Sequence, residues 1–137
     1  MHGVDAAEIY VELAYETILK RSGDAEGIAN WVAALSAGAS AGEIIDEFFR
    51  SEEYRAFGRT SAETVTLCYE AMLSRAPDEE GLAAWTALLD DGYSTTKLVA
   101  GFVGSEEFIA LCENYGIPAG SITLSARDQN SNITRFV

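Results

Sequence analysis

Residues 15–31, YETILKRSGDAEGIANW, return 54 positions later as residues 69–85, YEAMLSRAPDEEGLAAW. The correspondence runs without a gap from residues 11–57 to residues 65–111, and 20 of the 47 aligned positions are identical. Agreement at a fixed spacing is typical of internal duplication. The chain therefore contains two copies of one structural unit. The shared landmark residues are Tyr15, Leu19, Arg21, Asp24, Gly27 and Trp31, with the copies Tyr69, Leu73, Arg75, Asp78, Gly81 and Trp85.

Apolar residues within each unit recur at intervals of three and four, which predicts amphipathic helices. The pattern is clearest in the first helix of the second unit, and it returns in two further segments of each copy. Polar residues that can cap a helix start precede these segments, and glycines follow the second segment of each unit. The predicted caps are Asp24, Ser40, Ser51, Asp78, Ser94 and Ser105, and the predicted stops are Gly38 and Gly92.

The sequence predicts an all-α fold, because it has two prolines and no long alternation of apolar and polar residues that would indicate a sheet. One unit alone would bury too little surface to be stable, so we expect the two tandem repeats to pack as one helical bundle. The predicted segments are helical repeat 1 at 5–60, helical repeat 2 at 61–113, a linker or ordered loop at 114–132, and the start of a third repeat at 133–137.

Charge and hydropathy exclude several kinds of partner. The 137 residues include 22 acidic and 9 basic side chains, a formal charge of −13 that would repel a phosphate backbone. The apolar stretches are shorter than the roughly 18 residues that a membrane-spanning helix requires. We therefore expect neither a nucleic-acid partner nor membrane insertion.

The residues needed for common catalytic and metal sites are missing from the sequence pattern. His2 is the only histidine, which excludes histidine-based triads and most zinc sites. Asp128, Asn130 and Asn132 offer oxygen ligands at alternate positions. However, Ile133 replaces the glycine of a calcium loop, the position of its closing glutamate lies beyond residue 137, and Asn132 serves equally well as the cap of a following helix. We predict no enzymatic activity, no metal and no cofactor; a hydrolase would require a cleft with perturbed carboxylates.

Three sets of side chains have two interpretations each. Cys68 and Cys112 could form a disulfide or behave as separate buried hydrophobes. Trp31 and Trp85 lie on the apolar stripe of a helix, which favours core packing, although aromatic faces also bind sugars. We interpret the arginines that end the first helix of each unit as structural: they either complement the negative end of the helix dipole or form ion pairs with glutamates. Those residues are Arg21 and Arg75, and the candidate partners are Glu52, Glu53, Glu106 and Glu107.

The motif Tyr-x3-Leu-x-Arg-x2-Asp-x2-Gly-x3-Trp, present in both copies, resembles the bacterial family called domain of unknown function 4214 (DUF4214). The resemblance covers about four fifths of the chain, and Lys20 and Ser74 replace a glycine common in the family. It implies a helical bundle related to phycobilisome linker domains, occurring in secreted, surface-layer and toxin-like proteins, with an extracellular or cell-surface location. It brings no catalytic residues.

These observations favour a non-catalytic helical repeat module that acts as a protein-interaction or spacer domain in a larger bacterial secreted or cell-surface protein. Its partners would be another protein or flanking repeats of the parent protein. The alternative is a carbohydrate-binding module that uses exposed aromatic side chains, with Trp31 and Trp85 as the ligand contacts.

Overall fold

The computed structural model describes residues 6–122, and all regular structure in that range is helical. The predicted all-α fold of two tandem repeats is confirmed. The predicted third repeat at 133–137 and the candidate oxygen ligands Asp128, Asn130 and Asn132 lie outside the described residues. The first unit comprises α1 (Ala6–Ala14), which continues as a π-helical turn (Tyr15–Leu19), α2 (Ala25–Ser36), α3 (Ala41–Arg50) and α4 (Glu52–Ala56); the second comprises α5 (Ser61–Leu73), α6 (Glu79–Asp90), α7 (Thr95–Val103) and α8 (Glu106–Tyr115).

Most helix starts carry the predicted side-chain caps. Ser40 and Glu43 form a reciprocal capping box at α3. At α2, Asp24 accepts a hydrogen bond of 3.2 Å from the backbone N–H of Gly27. Asp78 occupies the same position at α6 without making that bond. Three serines each accept a hydrogen bond from the backbone N–H three residues later: Ser51, Ser94 and Ser105.

The first helix of each unit ends on a residue with left-handed backbone geometry. Lys20 has a φ of 58°, and its copy Ser74 has a φ of 56°. A Cβ atom in this region crowds the backbone, which is why glycine is preferred at such helix ends. Both units therefore carry local strain at the same turn.

Replacing Ser74 with glycine should relieve this strain. We expect Ser74→Gly to raise the free energy of unfolding by about 0.5–1 kcal/mol, since the relief exceeds the added entropy of the unfolded chain. Urea denaturation followed by circular dichroism measures the change. Ser74→Ala is the control, because it removes the hydroxyl and keeps the Cβ atom. A glycine variant less stable than the alanine variant would contradict the interpretation.

The two units pack against each other through equivalent surfaces. The most extensive contact between them joins α3 to α7, which are copies of each other. The pair is antiparallel: the start of α3 at Gly42 lies against Val103 at the end of α7, while Asp46 accepts a hydrogen bond of 2.7 Å from Thr96. The π-helical turn likewise packs on its copy, α5. Contacts between copies are characteristic of a local two-fold arrangement, which closes the pair into one bundle.

The segment after α8 folds back onto the first unit. α8 ends at Tyr115, two residues beyond the predicted boundary of repeat 2. The carbonyls of Pro118 and Ala119 then accept hydrogen bonds from the first backbone N–H groups of α3, at 2.8 and 3.1 Å. They occupy donors that a helix start leaves free, so residues 117–122 are an integral part of the bundle.

Candidate functional site

The landmark arginine of the first unit connects two helices. The Arg21 guanidinium lies 5.0 Å from the centroid of the Tyr15 ring. It also donates two hydrogen bonds to Glu53 on α4, from Nε at 2.7 Å and from Nη2 at 3.0 Å. This bidentate geometry suits a planar guanidinium and a carboxylate. The end of the first helix is thereby fixed to the short fourth helix.

The second unit repeats the connection almost unchanged. Arg75 lies 5.3 Å from the centroid of the Tyr69 ring and donates two hydrogen bonds of 2.8 Å to Glu107 on α8. Hydrogen bonds from the arginines lower the pKa of Glu53 and of Glu107. Both ion pairs are solvent-exposed, so they orient the helices and contribute modestly to stability. Of the four candidate glutamates, these two form the pairs.

The landmark tyrosine and tryptophan of each unit meet on one phenylalanine. In the first unit, the centroid of Phe48 lies 4.8 Å from that of Tyr15 and 5.7 Å from that of Trp31. In the second unit, Phe102 lies at the same two distances from Tyr69 and Trp85. Edge-on and tilted contacts of this kind stabilise buried aromatic clusters. The landmark aromatic residues therefore join the first, second and third helices of each unit.

The landmark glycines leave space for the tyrosine hydroxyls. A Cβ atom at Gly27 would overlap the hydroxyl of Tyr15, and one at Gly81 would overlap that of Tyr69. Both glycines lie in the first turn of a helix, where an alanine would otherwise be favoured. The motif therefore specifies that a helix start packs closely on a tyrosine. This packing explains why the tyrosine and the glycine have the same spacing in both copies.

The two tryptophans differ in exposure. Trp85 is fully buried at 0% exposure, so it offers no face to a ligand, whereas Trp31 is half-buried. The difference arises on the neighbouring helix. A Cβ atom at Gly101 would lie 2.5 Å from the ring of Trp85, so the ring occupies the space that glycine leaves, but the residue equivalent to Gly101 is Glu47. Trp31 instead lines a shallow surface cleft of about 380 Å³ beside three carboxylates, those of Glu43, Asp46 and Glu47.

A basic cleft of about 470 Å³ lies where α3, α4, α5 and α7 meet. The sequence pattern does not reveal it, because helical periodicity does not show that residues 49–64 of the chain meet Thr95 of the second unit in one cleft. Its base carries a buried hydrogen bond of 2.6 Å between the Tyr54 hydroxyl and Thr64 Oγ1. Its lining contains no acidic residue and consists of Phe49, Arg50, Tyr54, Arg55, Gly58, Arg59, Thr64 and Thr95.

An apolar patch lies exposed on α1. Ile9 is 46% exposed and Leu13 is 42% exposed, and the two are one helical turn apart. Three glutamates lie beside them: Glu8, Glu12 and Glu16. We call these five residues the α1 patch. An exposed aliphatic patch bordered by charged residues is typical of interaction surfaces.

The cysteines are unpaired in the structure and both are buried. Burial raises the pKa of the Cys68 thiol far above its usual range and that of Cys112 to about 12. A thiol with so high a pKa carries almost no thiolate at neutral pH, so neither has the character of a nucleophile. Between residues 6 and 122, the structure contains no cluster of three metal-ligating side chains and no helix long and apolar enough to cross a membrane.

Comparison with known proteins gives one finding. The family model described as "Domain of unknown function (DUF4214)" matches residues 3–58 and again residues 54–112. No curated protein and no solved structure matches the chain. Each match covers one copy of the landmark motif and nearly all of one structural unit. The chain therefore belongs to the family described as domain of unknown function 4214 and carries two tandem copies of its domain.

Proposed function

We propose that this chain is a non-catalytic module that mediates protein interaction, or spaces other domains, within a larger bacterial secreted or cell-surface protein. The α1 patch is the surface that carries the proposal. Leu13 is 42% exposed, whereas its copy Leu67 on α5 is 5% exposed. The same position of the repeat is therefore covered by protein in one unit and open in the other.

The chemistry of the α1 patch specifies its partner. Ile9 and Leu13 present an aliphatic ridge, and a row of three glutamates along one side makes its surroundings negative. A partner segment that matches this surface has apolar residues at helical spacing with lysine or arginine beside them. The net charge of −13 would attract such a basic segment and repel acidic ones.

The proposal predicts that a basic amphipathic peptide binds the full chain at the α1 patch. The probe is a synthetic helical peptide with leucines four residues apart and flanking lysines, and binding is measured by fluorescence anisotropy at low salt. We expect the double variant Ile9→Ser and Leu13→Ser to weaken binding about tenfold or more, because it removes the apolar contact. Added salt should also weaken binding, since it screens the carboxylates.

The matched control is Ile109→Ser, which removes an aliphatic side chain of similar exposure, 41%, on α8. It should leave the affinity unchanged. A peptide of the same composition with scrambled order should bind more weakly than the patterned one. Equal loss of affinity in the α1 double variant and in Ile109→Ser would overturn the assignment of the interaction to the α1 patch.

Carbohydrate binding remains a second proposal, and one observation favours it. Trp31 is half-buried and lines a cleft with the carboxylates of Glu43 and Glu47, which could accept hydrogen bonds from sugar hydroxyls. Because Trp85 is buried, such a site would rest on a single tryptophan. The smaller aromatic surface makes this the weaker of the two proposals.

A further inference from the structure

The basic cleft concentrates positive charge on a chain that is otherwise strongly acidic. Arg50, Arg55 and Arg59 account for three of the nine basic residues, and no carboxylate lines the cleft. Arg50 is engaged with Asp46 at 3.0 Å and with Glu47. Arg55 and Arg59 make no ion pair with any carboxylate of the described residues. The cleft therefore holds two guanidinium groups whose charge is not neutralised.

The guanidinium group of Arg59 is held by aromatic contacts, while its Nε–H has no hydrogen-bond acceptor among the described residues. Its guanidinium lies 4.5 Å from the ring centroid of Phe57 and 5.8 Å from that of Tyr54. Its Nε atom is buried, and no described residue accepts a hydrogen bond from it. A buried donor without a partner is costly, so an acceptor supplied from outside the chain would be bound favourably. The aromatic contacts fix the group before any ligand arrives.

The duplication shows that the fold does not require these arginines. Their counterparts in the second unit are Gly104, Ile109 and Glu113, none of them basic. The second unit nevertheless forms the same helices, α5 to α8, with equivalent aromatic packing and an equivalent arginine to glutamate pair. A structural need common to both units would place basic residues in both. The arginine cluster belongs to the first unit alone, where Thr95 of the second unit completes the lining.

We propose that this cleft binds a small oxyanion, a carboxylate or a phosphate or sulfate monoester, between Arg55 and Arg59. Guanidinium groups bind such oxygens through paired charge-assisted hydrogen bonds. Thr95 lines the cleft and is the first residue of α7, so the positive end of that helix dipole also lies at the cleft. The acidic surface around the cleft disfavours a long polyanion and admits a single compact anionic group.

The test uses the full chain at low ionic strength with two named probes, inorganic phosphate and glucuronate, and glucose as the uncharged comparison. Binding is followed by NMR through the Nε–H signal of Arg59. We expect saturable movement of that signal with at least one anion and none with glucose. Binding of phosphate alone would assign the site to tetrahedral anions, binding of glucuronate alone to carboxylates, and binding of both to oxyanions in general.

Two variants distinguish specific anion binding in the cleft from nonspecific electrostatic attraction to the protein. Arg55→Gln removes one exposed arginine of the cleft, and Lys20→Gln removes one exposed positive charge elsewhere, so both change the net charge equally. We expect Arg55→Gln to weaken anion binding at least about tenfold and Lys20→Gln to have little effect. Circular dichroism checks that both variants fold. Absence of saturable binding with either anion, or equal weakening by the two variants, would overturn the proposal.

Discussion

Replacing Trp85 with alanine should lower the free energy of unfolding by about 3–5 kcal/mol, since the change empties a large space in a fully packed interior. The same replacement at Trp31 should cost much less, about 1–2 kcal/mol, because part of that ring already contacts solvent. The two residues occupy the same position of a repeated motif and contact equivalent phenylalanines at the same distance. The difference therefore isolates the effect of burial.

Urea denaturation of the two single variants, followed by circular dichroism, measures both costs. The variants Trp31→Phe and Trp85→Phe retain most of the packing and leave one tryptophan each, so acrylamide quenching then reports exposure directly. Fluorescence from Trp85 should be strongly protected and fluorescence from Trp31 should be quenched more readily. Equal stability losses at the two positions would contradict the packing described for Gly101 and Trp85.

The features that could be predicted from sequence are those that depend on neighbours along the chain. The capping box at Ser40 and Glu43 involves residues three positions apart, and the 54-residue period is visible by alignment alone. Helical spacing of apolar residues gave the fold class for the same reason. These local signals agree with one another in both copies, so the all-α repeat fold could be predicted from them.

The features that could not be predicted depend on residues far apart in sequence. The burial of each tryptophan depends on a residue of the third helix of its unit, sixteen positions later in the sequence. That residue is Gly101 for Trp85 and Glu47 for Trp31. The basic cleft is lined by Arg55 of the first unit and Thr95 of the second, forty residues apart in sequence. The π-helical turn at Tyr15–Leu19 follows the same apolar spacing as its regular copy in α5, so periodicity does not distinguish them. One sequence feature does point to the cleft: Arg55 and Arg59 are basic, whereas the equivalent residues of the second unit, Ile109 and Glu113, are not.

Replacing Gly81 with alanine should destabilise the protein by about 2 kcal/mol, although alanine is the better helix former by roughly 1 kcal/mol. The added Cβ atom would overlap the hydroxyl of Tyr69, a ring that is 1% exposed and has no room to move, and would lie 2.7 Å from Oδ1 of Asp78. Gly104→Ala is the matched control, because nothing lies within 4 Å of a Cβ atom there and its φ is −87°. Urea denaturation of both variants measures the cost.

A double-mutant cycle with Tyr69→Phe identifies the cause of that loss. Phenylalanine lacks the hydroxyl that the new Cβ atom would meet, so Gly81→Ala should cost at least about 1 kcal/mol less in the Tyr69→Phe background than in the natural chain. The first unit offers an independent repeat of the cycle with Gly27→Ala and Tyr15→Phe, where the same overlap occurs. An equal cost of Gly81→Ala in both backgrounds would show that the glycine is not retained to accommodate the tyrosine. Recovery in both units would explain why a tyrosine and a glycine twelve residues apart recur together in the motif: the glycine leaves the space that the tyrosine hydroxyl occupies.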